Sequence, residues 1–295
     1  MKSRLPERLL KLILLSFLLF IYYSVVSVAM GFSSQENAVG EAVILPIVCF
    51  LQTAVMSYPI IHSKWNGWEL ILAIFLIFFG VVTFLTQIET IVFLRYLVNV
   101  VPAEEVPKFF AQGFAIAVLF SISAVVVYGK MKGGVETDIR RNNVLRFFTS
   151  KFFARMFAVA VIYMIIYTLF GMFVAMPLGG EVFQEYYAGL QLPPWILPFQ
   201  IVRGLIWASL AFTVLTMMVG SWRERALAVA LVFSVLPASL LLLPNPYMPD
   251  QIRIAHFVEI LSSNFLFGLI AAWLLKPAIE NLLNPPSNPA PESST

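Results

Sequence analysis

Apolar residues in this chain neither alternate nor recur at every third or fourth position. They run in blocks. Eight blocks, at about 9–30, 41–61, 69–90, 108–129, 155–177, 195–220, 226–244 and 253–275, are apolar around the whole circumference of a helix. A hydrocarbon layer of ~30 Å needs about 20 residues as a helix but only ~10 as a barrel strand. Each block has helix length, and backbone groups in lipid must be paired within the segment. The pattern predicts an all-α, polytopic integral membrane protein with about eight transmembrane helices. Residues 1–278 make one transmembrane domain on this reading.

The stretch 87–101 breaks the regularity, because it is apolar yet carries Glu89, Arg95 and Asn99. An interfacial or outward-projecting helix fits it better than a ninth span. The first block is longer than the 7–15 apolar residues of a signal peptide, so it reads as a retained helix. The end of the chain, 279–295, is rich in Pro and Ser and reads as a disordered tail.

Composition agrees with the blocks. The chain is 60% hydrophobic and 12% charged, against roughly 25% charged in soluble domains. Charge then orients them. With the N-terminus in the cytoplasm, the inner segments hold Lys2, Arg4, Arg8, Lys11, Lys64, Lys130, Lys132, Arg140, Arg141, Arg146, Lys151, Arg155, Arg223, Arg225 and Lys276, which is 15 of 19 basic residues. Such a bias follows the positive-inside rule and predicts both termini in the cytoplasm. The expected location is the inner (plasma) membrane of a bacterium. A pI near 9.0 is explained by the same bias, so nucleic acid is not an expected partner. The loop 130–154 has Gly133-Gly134, then basic and apolar residues interleaved from Asp138. It reads as an amphipathic helix on an anionic leaflet, which makes membrane lipids the expected partner.

Ionisable residues inside spans mark the candidate chemistry. Arg203 stands nine residues after Pro194, roughly 13 Å into its helix. In the last block His256, Glu259, Ser263 and Asn264 follow at i, i+3, i+7 and i+8, which places them on one helical face with Arg253 extending the stripe. Glu89, Gln112 and Gln200 fall at similar depth in other blocks. The candidate ligand or proton-relay site is therefore Arg203, His256, Glu259, Glu89, Gln112, Gln200 and Asn264, in the extracytoplasmic half. Glu259 is the first expected partner for Arg203 and Glu89 the second.

Metals and cofactors are not expected. Two histidines at opposite ends of their spans exclude a bis-histidine haem, and a single cysteine, Cys49, excludes a cysteine zinc site. Zinc on His256, Glu259 and Glu89 would be opposed by the nearby Arg203. FQIVRGLIW with a later histidine resembles CAAX-type intramembrane endopeptidases only in outline. Leu197, Pro198 and Phe199 stand where that motif carries paired glutamates, and Asn264 follows His256 by eight residues instead of four. The chain is not assigned to that family.

Three functions stay open. One is a transporter-like protein in which Arg203 binds a small anionic ligand and His256 with Glu259 handles protons. A second is a membrane enzyme acting on a lipid-linked substrate, with His256 and Glu259 as acid and base. The third is a non-catalytic sensor or assembly subunit in which Arg, Glu and His form a structural clamp. A solvent-reachable cavity around these residues favours the first two, and a sealed network favours the third. Oligomeric state is not legible.

Overall fold

The structure is a computed structural model that describes residues 4–32, 38–97, 101–132, 149–190 and 192–283. The described residues are 84% helix, with no strands among them. The helices are α1 (Arg4–Met30), α2 (Ala38–Ile61), α3 (Gly67–Phe79), α4 (Leu85–Leu97), α5 (Glu105–Val127), α6 (Ser150–Phe170), α7 (Met176–Tyr186), α8 (Ile196–Met217), α9 (Trp222–Leu240) and α10 (Asp250–Leu283). Seven helical segments are long and apolar enough to cross a membrane. This is the architecture of an integral membrane protein. The block expected at 226–244 is helix α9, but its first turn carries Arg223, Glu224 and Arg225, so it lacks the apolar length of the others.

Two rods are longer than the blocks suggested. A π-helical turn, Gly80–Phe84, joins α3 to α4 without a break, so of the alternatives for 87–101 the described part, to Leu97, continues the third helix, and 98–100 lie outside the described residues. A second π-helical turn, Gly171–Ala175, joins α6 to α7. The connection between the blocks 155–177 and 195–220 is therefore helical as far as Tyr186, with a kink at Gly180 (φ 53°) that only glycine adopts freely. Helix α10 runs to Leu283, past the expected start of the tail. The basic loop helix expected from Asp138 and the tail 284–295 lie outside the described residues.

Lipid tails give helices no hydrophobic reason to associate, so close approach and dispersion must hold the bundle. The two most extensive helix pairs, α9 with α10 and α6 with α8, each meet at a glycine. A Cβ on Gly268 would lie 2.6 Å from Ala230 Cα, and one on Gly204 would lie 2.6 Å from Ala160 Cα. Phe78, Phe120, Phe233 and Phe267 fill the centre, and Cys49 is buried as a small apolar residue.

Polar contacts tie the turns together at each end. At one end Ser63 bridges Met218, Lys64 N donates to Met217 O at 2.8 Å, Gly67 N donates to Lys130 O at 2.8 Å, and Lys130 Nζ donates to Ser63 O at 2.6 Å. Arg155 reaches Leu274 O there, and Lys276 lies over the Trp222 ring. At the other end Tyr186 OH donates to Tyr247 O, and Gln251 Nε2 donates to Gly179 O. Arg253 does not extend the stripe of the last helix. Its Nη1 turns to the final carbonyls after α9, Leu241, Leu242 and Leu243 at 2.8–3.1 Å, the place where a cation meets the negative end of a helix.

Candidate functional site

Arg203 is buried on α8 and held by groups from α4, α6 and α8. Nη2 pairs with Glu89 Oε2 at 2.7 Å and donates to Leu85 O at 3.2 Å, while Nη1 donates to Gln200 Oε1 at 2.9 Å. Leu85 and Glu89 are four apart on α4, so one turn presents both acceptors to one guanidinium. That turn follows directly on the π-helical Gly80–Phe84, whose wider winding changes which face the later residues present. The faces of Tyr163, Tyr167 and Phe199 lie 5.6–5.9 Å from the guanidinium carbon and complete the shell with cation–π contacts. Glu89 uses its other oxygen as well, accepting from Tyr167 OH at 2.6 Å.

His256 and Glu259 form a second group on α10. His256 Nδ1 lies 2.7 Å from Glu259 Oε2, and Tyr187 OH lies 2.9 Å from His256 Nε2. Phe183 and Tyr187 pack their rings on the imidazole. The kink at Gly180 carries these two aromatics over α10. The side chains of His256 and Glu259 are 20% and 9% exposed, so the histidine is the outer member and the carboxylate the inner one. Helix α10 packs against both α6 and α8, so the two groups stand on neighbouring helices.

The expected partner order for Arg203 is thus reversed. Glu89 holds the guanidinium and Glu259 holds the histidine. The reason is geometric: similar depth on two helices does not set which faces meet, and α4 turns Glu89 toward α8. Of the seven candidates, Glu89, Gln200 and Arg203 meet in one group, and His256 and Glu259 in its neighbour. Gln112 stands apart, donating to Ser27 Oγ at 2.7 Å between α5 and α1. No hydrogen bond among the described residues ties Asn264 to either group. Ser263 is buried below Glu259.

The sequence reading missed Tyr163, Tyr167 and Tyr187. A signal was present, since Tyr163 and Tyr167 are four apart and buried phenols seek polar partners. It also missed Gln52, which is fully buried and accepts from Tyr23 OH while donating to Ser239 Oγ and Leu236 O, tying α1 and α2 to α9.

The Arg203 guanidinium is enclosed, with its side chain 6% exposed, while Glu89 keeps 24% exposure. No cluster of three or more His, Cys, Asp or Glu side chains suited to a metal forms among the described residues. Clefts line Glu7–Lys130 at the basic end and Tyr186–Asp250 at the other, and neither is lined by a member of the two groups. Gln200 Nε2, Arg203 Nε and, one turn on, Trp207 Nε1 keep donors that are buried and without a hydrogen-bond acceptor among the described residues. Protein-family models, curated proteins and solved structures give no match to the chain.

Proposed function

We propose that this chain is an eight-span membrane protein with both termini in the cytoplasm, acting as a non-catalytic sensor or assembly subunit. The eighth span is α9, which lies between α2 and α10. Its charged first turn falls at the basic end of the bundle, where a cytoplasmic headgroup region suits it. Gathering of the basic turns at that end supports the orientation. Reporter fusions near 130–149 should score as cytoplasmic and those near 188–192 as external. The opposite scores would overturn it.

The observation that carries the functional reading is the enclosure of the Arg203 guanidinium. An arginine that holds a carboxylate, an amide and a carbonyl, with aromatic faces around it, has little to offer an incoming anion. It acts as a brace between α4, α6 and α8. Beside the brace, the Tyr187–His256–Glu259 chain is the moving part. A proton added to the imidazole makes both ring nitrogens donors and so alters its bonds to Tyr187 at the end of α7 and to Glu259, with Tyr186, Glu89 and Arg203 as the neighbouring titratable or charged groups. Hydrogen–deuterium exchange of 176–190, followed from pH 8 to pH 5, tests this. With the base-catalysed intrinsic amide rate divided out, protection should fall in the parent and stay constant with pH in His256→Gln. A flat profile in the parent would remove the sensor role.

A second reading is favoured by the unused donors of Gln200 and Arg203. Buried unpaired donors call for a partner, and an acceptor-bearing small anionic or lipid-linked ligand is one. The π-helical turns and the Gly180 kink supply the helix discontinuities on which transporter sites are built. Proteoliposomes holding a pH dye separate the two readings: a proton flux lost in Glu259→Gln supports transport and displaces the sensor.

A further inference from the structure

The basic ends of α1, α2 and α5 enclose a cleft of about 240 Å³ lined by Glu7, Arg8, Lys11, Ile61, Tyr128 and Lys130. It lies outside both polar groups described above. Three cations face one carboxylate there. Lys11 pairs with Glu7 at 2.6 Å, which aligns the ammonium along α1 and spends one of its three donors. Lys130 spends one donor on Ser63 O at 2.6 Å and is thereby fixed at the rim. Tyr128 OH donates to Ser57 Oγ, so its ring stands as a fixed wall. The cleft is thus a pre-formed pocket with spare donors and excess positive charge. Burial pulls the Lys130 ammonium below its ordinary value, a direction that an anion beside it reverses.

The surroundings narrow the choice of anion. Leu10 and Leu14 come three residues after Glu7 and Lys11, on the adjoining ridge of α1, and both are exposed. A free anion gains nothing from that ridge, whereas an amphiphile with an acidic headgroup matches cleft and ridge together. Basic pockets between helices at a membrane face hold headgroups in this way. We propose that this cleft binds a phosphate-bearing anion, supplied as the headgroup of an anionic phospholipid whose acyl chains lie along α1.

The test uses the full chain, stripped of lipid in neutral detergent and offered phosphatidylglycerol, phosphatidylcholine or inorganic phosphate. Native mass spectrometry counts retained lipid, and thermal unfolding reads the effect of phosphate. Phosphatidylglycerol should be retained in preference to phosphatidylcholine. Arg8→Gln and Lys11→Gln should each weaken that retention about fivefold, the ratio that ~1 kcal/mol per cation implies. Lys11→Arg should keep it. Arg8 is exposed and Lys11 half-buried at the surface, so unfolding without probe should be unchanged in all three. Equal retention of the two lipids, or full phosphatidylglycerol binding by the Arg8→Gln, Lys11→Gln double variant, overturns the proposal. Stabilisation by inorganic phosphate that needs Arg8 and Lys11, with no lipid retained, keeps the phosphate site and overturns the lipid as its source.

Discussion

Replacing Glu89 with glutamine strips the charge paired with Arg203 and leaves the guanidinium buried. Removing one member of a buried ion pair costs about 3–5 kcal/mol. The lower end applies here. The Glu89 side chain is 24% exposed and that of Arg203 only 6%, so part of the pair is not enclosed by protein. Arg203 also keeps Gln200 Oε1, Leu85 O and its aromatic faces. We expect about 3 kcal/mol for Glu89→Gln. Arg203→Met should cost less, about 2 kcal/mol, because Glu89 keeps the Tyr167 hydroxyl and its partial exposure. The double variant removes both charges and should stay near 2 kcal/mol, which makes the coupling about 3 kcal/mol. The assay is denaturant titration in mixed micelles, with helix content followed by circular dichroism and the slope compared between variants. Losses that simply add, with coupling below ~0.5 kcal/mol, would refute the brace.

Other outcomes follow from single contacts. Gly204→Ala should lower stability by about 2 kcal/mol, since the new Cβ would meet Ala160 backbone at 2.6–2.7 Å and force α6 from α8. Gly171→Ala, which meets nothing within 4 Å, should leave the same unfolding midpoint unchanged or raised. Gln52→Leu should cost about 2 kcal/mol in the same titration, because Tyr23 OH and Ser239 lose a buried partner. Cys49 is fully buried, so maleimide should label it only after unfolding; rapid labelling of folded protein would contradict its placement.

What the sequence determined by itself is the class. Block length and uniform apolarity imply helices in lipid without reference to any neighbour. His256 and Glu259 were legible as a pair for the same reason: three residues on one helix fix their own spacing. The identity of Arg203's partner was not, because it depends on how α4 is rotated against α8. That rotation follows from the π-helical turn at Gly80–Phe84, which apolar periodicity does not mark. Tyr187 reaches His256 only because α7 continues α6 through a second such turn and bends at Gly180, where the sequence shows only a connection between blocks. Gln112 and Asn264 had suitable depth and polarity, yet depth is one coordinate and a site needs three. Local spacing sets what one helix can present. Which presented groups meet is decided by helix rotation and by close approach at Gly204 and Gly268, and those exist only once the bundle is packed.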